Sequence, residues 1–402
     1  MSAEELGRLL AEMIDIDSPT GEEHELARFL AGYLAGAGLT VRTTPAASVL
    51  GLGRGRESKA GYSLLLYAPI DTHVRTAEDR RRFGDGPNLL PSARRSATRL
   101  AGLGAENPKA FAAAVATAGA AFGRAATDLT GDLWVGLGSG GMPYGDGDGP
   151  GHGTGVRELI THYCKPDGAV VAKPGWSVST AEAGLCWLRL RVQGRASYVG
   201  TKHLAPYDNP IVTLAAAIPV IEAWLVAFAE EHRSAELFPQ GAVSAVTAGE
   251  SRQAAFVPDF AEATIDLRLP PGHTPQAAVD SLTEALAAAG TPREKMDLTV
   301  TVYLPGGTTD SGSTVAEATR AAWVAAGGVM ADEAARPPAS GVTDAAILRH
   351  LGVPTARIGM PRRVATERAW AGDDPVPLNE VDVRDCLRLV EVLVGTGARL
   401  LV

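Results

Sequence analysis

Apolar and polar positions along this chain change period from block to block. Residues 3 to 37, opening "AEELGRLLAEMID", carry apolar side chains three and four apart and predict a helix, a turn at "DSPTGEE" and a second helix. In the turn, Ser18 or Thr20 can cap the second helix, and Glu22 and Glu23 suit its first turn. "LTVRT" predicts a short strand. "YSLLLYAPI" is a continuous apolar run, the pattern of a strand covered on both faces in a parallel sheet. "PKAFAAAVATAGAAFGRAA" predicts an Ala-rich helix, "GDLWVGLGSGG" a strand ending in glycines, "GVRELITHY" a helix and "GAVVAKP" a strand. Residues 75 to 98, basic and punctuated by Pro and Gly, predict a surface excursion. "GMPYGDGDGPGHGTG" predicts a flexible loop, since its one DGDG lacks the repeat of a calcium loop.

After Lys173 the pattern changes. "GLCWLRLRVQG" alternates as a half-buried strand does, and "NPIVTLAAAIPVIEAWLVAFAEEH" predicts a long helix. "GAVSAVTAG" and "AEATIDLRLP" are strands, "TPQAAVDSLTEALAAAG" a helix and "MDLTVTVYL" a strand. The order β-α-β-β-α-β makes a compact ferredoxin-like α+β domain. From about residue 306 helices and strands alternate again to the end. The predicted architecture is an α/β domain with a phosphorylase/hydrolase-like mixed sheet, built from residues 1–178 and 306–402, with an α+β lid of residues 179–305 inserted.

A chain of 402 residues suits two domains. Its formal charge of -9 argues against a general binder of nucleic acid or anionic membrane. The N-terminus lacks a basic stretch followed by an apolar core, so no signal peptide is expected, and the cytoplasm is the default compartment. The longest apolar run, Ile211 to Ala229, contains Pro219 and Glu222 and predicts an amphipathic or buried helix rather than a membrane span. Cys164, Cys186 and Cys386 fit no metal or redox spacing and read as reduced structural thiols.

Several local motifs in this order resemble the zinc metallopeptidase family that includes acetylornithine deacetylase, succinyl-diaminopimelate desuccinylase and glutamate carboxypeptidase. "YAPIDTH" is similar to its first metal strand, "LAGLGAENPKAFAAAV" to its Gly-x-Gly-x-x-Asp-x-Lys segment, and "KPDGAVVAKP" to its Pro-Asp…Glu-Pro strand. "VPDFAEATIDLRLPPG" and "ASGVTDAAILRHLGVPTARIGMP" are similar to its lid and C-terminal segments. The resemblance implies two zinc ions held by His and carboxylate ligands, with a Glu as general base. It also implies a dimer formed through the lid. The ligands themselves are replaced: Pro69 for the first His, Asn107 for the bridging Asp, Ser139, Gly140 and Gly141 for the Glu-Glu pair, Lys173 for the Glu of Glu-Pro, Trp370 for the last His. Tyr198 takes the place of the lid His that stabilises the oxyanion, and Asp71 alone keeps its identity. An ammonium among dications is repulsive, so Lys173 implies that the dinuclear site is lost and no metal or other cofactor is retained.

In such an altered site Asp71 is the expected salt-bridge partner of Lys173, and Lys173 can alternatively hold a substrate carboxylate or move a proton. If the strand continues, Asp71 and His73 share a face, and His73 can act as a base oriented by the carboxylate. Tyr198 can donate to a carbonyl, and a Ser139–Lys173 nucleophile arrangement is one open alternative, although the Gly-x-Ser-x-Gly elbow is missing. Lys202, His203, Arg268 and Asp344 join Asn107, Ser139 and Trp370 as substrate-binding candidates for a small, anionic ligand. Three readings stay open. The first is a metal-independent enzyme on a small polar amide, ureido or amino-acid-like substrate, with hydrolysis of a carbon–nitrogen bond as the default. The second is a non-catalytic binding or scaffold homologue. The third is a hydrolase whose metal has moved to His73, His152, Asp71, Asp146 and Asp148.

Overall fold

A computed structural model describes residues 2–57, 61–73, 87–125, 128–143, 151–204, 206–330, 338–361 and 379–402. The chain divides into two compact units, one of Met1–Thr180, Thr308–Arg336 and Thr343–Val402, the other of Ala181–Gly307 and Pro337–Val342. The insertion thus begins and ends two residues later than the pattern places it, and gathers a short later segment.

In the first unit, α1 (Ala3–Asp15) opens with a capping box between Ser2 and Glu5 and buries Leu6, Leu9, Leu10, Met13 and Ile14, one stripe at helical spacing. α2 is His24–Gly36, followed by β1 (Thr40–Thr43), β2 (Val49–Gly53) and β3 (Ser63–Pro69). Ser18 and Thr20 do not cap α2, whose N-cap is Glu23 without a side-chain bond. Their hydroxyls instead donate to Ile70 O at 2.9 Å and to Asp71 Oδ2 at 2.9 Å, so the turn is tied to the end of β3. After α3 (Phe111–Arg124) come β4 (Asp132–Gly138), α4 (Thr154–His162) and β5 (Gly168–Ala172). β2 is a strand that the sequence pattern did not announce, because two of its five residues are glycine.

Between these two parts of the first unit, the second unit supplies β6 (Gly184–Gln193), α5 (Pro210–Glu231), β7 (Gly241–Ala248), β8 (Phe260–Leu269), α6 (Pro275–Ala288) and β9 (Met296–Leu304). This is the expected β-α-β-β-α-β order. The strands form an antiparallel sheet in the order β7-β8-β6-β9. Leu214, Ile221, Leu225 and Phe228 of α5 and Leu282 and Leu286 of α6 pack with Leu188, Leu190, Ile265 and Leu267 of the sheet.

The first unit is completed by α7 (Thr314–Ala325), α8 (Asp344–His350), β10 (Thr355–Ile358) and α9 (Val383–Leu401). Its mixed sheet runs β1-β2-β4-β3-β5-β10, with β4, β3, β5 and β10 parallel. Glycines fit β4 against β3. A Cβ on Gly136 would stand 3.0 Å from the Tyr67 ring, and one on Gly138 would overlap the phenol.

Lys109 is fully buried and closes the end of α1, its Nζ donating to Ile16 O at 2.6 Å and Ile14 O at 3.4 Å. Burial pushes its pKa down from 10.5 to about 8, against the opposing pull of Asp17 and Asp15. Above pH 8 the unfolded chain therefore holds a proton that the folded chain has released, and this group's contribution to stability rises with pH. Denaturant unfolding of wild type and Lys109→Met is expected to show the gap between them widening, in favour of wild type, by about 2 kcal/mol from about pH 7.5 to about pH 9.5. A gap independent of pH would show that Lys109 does not titrate there.

Candidate active site

Parallel strands deliver their C-terminal ends to one edge of a sheet, where loops are free to carry chemistry. Pro69 of β3 lies opposite Gly138 of β4, and Tyr67 opposite Val171 of β5, so residues 70–73, 139–142 and 173 leave the sheet at the same edge.

Asp71 is buried, and hydrogen bonds account for both its oxygens. Oδ1 accepts from Gly141 N at 2.8 Å, and Oδ2 from Met142 N at 2.8 Å and Thr20 Oγ1 at 2.9 Å. The expected ion pair with Lys173 is not formed: the glycine loop offers backbone N–H groups at close range, and Asp71 takes them. Glu23, also buried, accepts from Gly140 N at 2.8 Å. Burial pushes its pKa up, while the Gly140 and Gly21 N–H bonds pull it down and the Asp71 charge adds to the rise. Two carboxylates thus hold three successive N–H groups of loop 140–142. Gly141 suits this closure, since a Cβ there would stand 2.7 Å from Pro69 Cβ, 3.1 Å from Asp71 Oδ1 and 3.2 Å from Asp344 Oδ2.

Ser139 is buried with its hydroxyl 3.0 Å from that of Ser48, which also accepts from Ser139 N at 3.1 Å. It serves the loop as a structural hydrogen bond, and the alternative arrangement with Lys173 as a nucleophile is not seen. Lys173, 8% exposed, donates from Nζ to Asn107 Oδ1 at 2.8 Å. Lys173 and Asn107 are therefore in direct contact. His73 does not share a strand face with Asp71, because β3 ends at Pro69 and the chain turns to bridge Thr72 to Pro19. Burial pushes the His73 pKa below its ordinary value, which keeps the ring neutral near pH 7. Asp344 is buried at the start of α8, and its carboxylate adds to the effect of burial in pushing the Tyr67 phenol pKa well up. Trp370, Asp146 and Asp148 lie outside the described residues.

In the second unit, Tyr198 is 50% exposed with its ring 5.5 Å from that of Phe256. Lys202 Nζ sits 4.1 Å above the Tyr207 ring, and His203 is exposed. Arg268 is held in plane by Asp266, Nε to Oδ1 at 2.9 Å and the terminal nitrogen to Oδ2 at 3.0 Å. The pair lines an open groove of about 520 Å³ with Gln240, Ser244 and Ser340. Glu23, Thr20 and Ser48 are the site residues that the sequence reading missed as such. Nothing in their local pattern marks them, because each acts on a residue far away in the chain.

Residues 180–294 match the family model described as "Peptidase dimerisation domain" of M20 peptidases. No curated protein matches the chain in sequence. Among solved structures, an M20 family metallo-carboxypeptidase from Sulfolobus solfataricus is 15% identical with a TM-score of 0.70, covering 100% of this chain and 99% of its own. A dinuclear metal-binding M20 peptidase from Bacillus subtilis is 14% identical with a TM-score of 0.67, covering 98% and 97%. A hydantoinase/carbamoylase family amidase from Burkholderia ambifaria is 16% identical with a TM-score of 0.64, covering 100% and 98%. The chain has the M20 peptidase fold. The two metal ions of the Bacillus subtilis protein provide a test of fit. In this M20-fold chain Pro69 offers no donor, Gly141 is packed against it, and hydrogen bonds account for both Asp71 oxygens. Among the described residues no group of three or more His, Cys, Asp or Glu is placed to hold a metal. The described residues do not fit a dinuclear centre.

Proposed function

We propose that this M20-fold protein hydrolyses a carbon–nitrogen bond in a small, anionic amide, ureido or amino-acid-like substrate, and that it does so without a resident metal. The observation that carries the reading is the Lys173–Asn107 contact of 2.8 Å at the end of β5. It puts a fixed cation and an amide dipole at the edge of the sheet where the loops converge. An ammonium can polarise a carbonyl as the oxygen of water adds to its carbon, and the departing nitrogen takes up a proton. His73, neutral near pH 7, is suited to accept the proton that water loses. The three cysteines are free and buried, in keeping with a reducing, cytoplasmic setting. A second reading, a binding homologue without catalysis, is favoured by the engagement of Asp71 and Ser139 in structural hydrogen bonds.

The deciding experiment joins elemental analysis to an assay. Protein purified without a His-tag is expected to contain no stoichiometric transition metal. It is also expected to turn over at least one member of a panel of N-acyl amino acids, ureido acids and cyclic amides at a rate that chelators leave unchanged. A stoichiometric metal, or a rate abolished by chelation, overturns metal independence. A panel left untouched favours the binding homologue.

A further inference from the structure

In the second unit, the C-terminal end of α5 and the turn from β8 into α6 bring two histidines together. His232 follows the last residue of α5, and His273 precedes Thr274, the N-cap of α6. Both are half-buried, and their ring centroids stand 4.8 Å apart with the planes at 82°. The buried Phe228 stacks on His232 at 4.2 Å. His273 is only 5.4 Å from Phe228, so it stands beside the stacked pair, at the rim of the His232 ring and not over its face. Both residues are held in place. His232 Nδ1 lies 2.8 Å from Phe228 O, which can only accept, so in the neutral ring Nδ1 carries the proton and Nε2 keeps its lone pair. His273 is fixed through its main chain. Its N–H donates to Pro270 O at 3.1 Å, Gly272 turns the chain with a φ of 83°, and Thr274 Oγ1 accepts from Ala277 N at 3.3 Å as α6 begins. Burial and the neighbouring His232 push the His273 pKa down, against the pull of Glu231, which favours a neutral ring near pH 7.

The geometry points to a transition-metal site in which ring nitrogens of His232 and His273 together hold one borderline dication, Zn²⁺, Ni²⁺ or Cu²⁺. Two imidazoles that share an ion at about 2.0 to 2.1 Å, with an angle of roughly 90 to 110° at the metal, place their centroids about 4.5 to 5.2 Å apart. The observed 4.8 Å falls within that span. A histidine whose other ring nitrogen donates to a backbone carbonyl is the usual form of a histidine ligand, because that bond fixes the tautomer and raises the basicity of the free nitrogen. His232 has this bond already. Imidazole nitrogen selects ions of the Ni²⁺, Cu²⁺ and Zn²⁺ class over Mg²⁺ and Ca²⁺, which prefer oxygen. Glu231, beside His232 in the chain, adds negative charge near the pair. Two protein ligands leave the rest of the coordination shell to water, so the ion exchanges with solvent instead of staying through purification. The site is built from the second unit alone, and the metal-independent hydrolysis proposed above neither needs it nor is affected by it. A bound ion ties the end of α5 to the turn before α6 and stabilises the folded unit by mass action.

Titration calorimetry with NiCl₂ on the full, untagged chain, dialysed first against a chelator, tests this. Wild type is expected to take up one ion per chain with a micromolar dissociation constant, and MgCl₂ is expected to give no such binding. His232→Gln and His273→Gln are each expected to bind Ni²⁺ at least about 10-fold more weakly, with an unchanged far-UV spectrum. His162→Gln, an exposed histidine of the first unit, is expected to bind as wild type does. A second measurement needs no variant. In wild type with labelled histidines, a substoichiometric amount of Ni²⁺ is expected to broaden two of the eight ring signals together and leave the other six sharp. Absence of Ni²⁺ binding, equal binding of Mg²⁺, or wild-type affinity in either folded glutamine variant overturns the proposal. So does loss of binding in a folded His162→Gln variant. If the glutamine variants misfold, the labelled spectrum decides, and broadening of one signal alone or of all eight alike overturns it.

Discussion

Asp71→Ala is expected to lower the unfolding free energy by about 3 to 5 kcal/mol, the largest effect on stability of any single change at the strand ends. The carboxylate receives the Thr20 hydroxyl and the N–H groups of Gly141 and Met142, each within 2.9 Å. A bond to a charged group contributes about 1.5 to 3 kcal/mol, and a buried donor left without a partner costs a similar amount. The truncation removes three such bonds at once and opens the loop from β4. Asp71→Asn keeps the size and one acceptor oxygen but turns an N–H donor toward another donor, so it is expected to recover less than half of the loss. Urea unfolding of the three proteins measures this, with the midpoint falling in the order wild type, Asn, Ala. An alanine variant within about 1 kcal/mol of wild type would mean that the loop holds its shape without Asp71.

The architecture was legible because its signals are local. The period of "GLCWLRLRVQG" or "MDLTVTVYL" belongs to one strand, and so does the apolar run of "YSLLLYAPI"; each can be read without knowing what the strand touches. The site was legible only as a set of replaced residues. Ser18 and Thr20 look like caps because hydroxyls before a helix usually are, yet their partners lie 52 and 51 residues away. Asp71 and Lys173 look like a pair because opposite charges are visible in a sequence. The competitors that won, the backbone N–H groups of Gly141 and Met142, are common to every residue but proline and so carry no sequence signal. Glu23 was read as a helix-start carboxylate for the same reason, although it reaches across to Gly140. His73 failed on geometry: alternation was assumed past Pro69, where the strand stops.

Lys173→Met is expected to reduce the proposed hydrolysis by about 100-fold or more while leaving the fold in place. The two effects separate because they rest on different interactions. Stability loses the bond from Nζ to Asn107 Oδ1, and a hydrogen bond to a charged group is worth about 1.5 to 3 kcal/mol, partly recovered by the apolar stem of methionine. Catalysis loses the property for which an ammonium is needed, a positive charge held close to a developing oxyanion. Lys173→Arg should not restore the rate. The planar guanidinium is larger and needs a differently shaped pocket, and Lys173 is already 8% exposed beneath its loop. The loss should fall on kcat more than on KM, because a charge that acts on the oxyanion is felt in the transition state and not in the bound substrate. Steady-state kinetics on whichever panel substrate is turned over, with melting curves run in parallel, check each part. A folded Lys173→Met protein with the wild-type kcat would remove the lysine from the chemistry, and with it the reason for reading the Lys173–Asn107 contact as a substitute for metal.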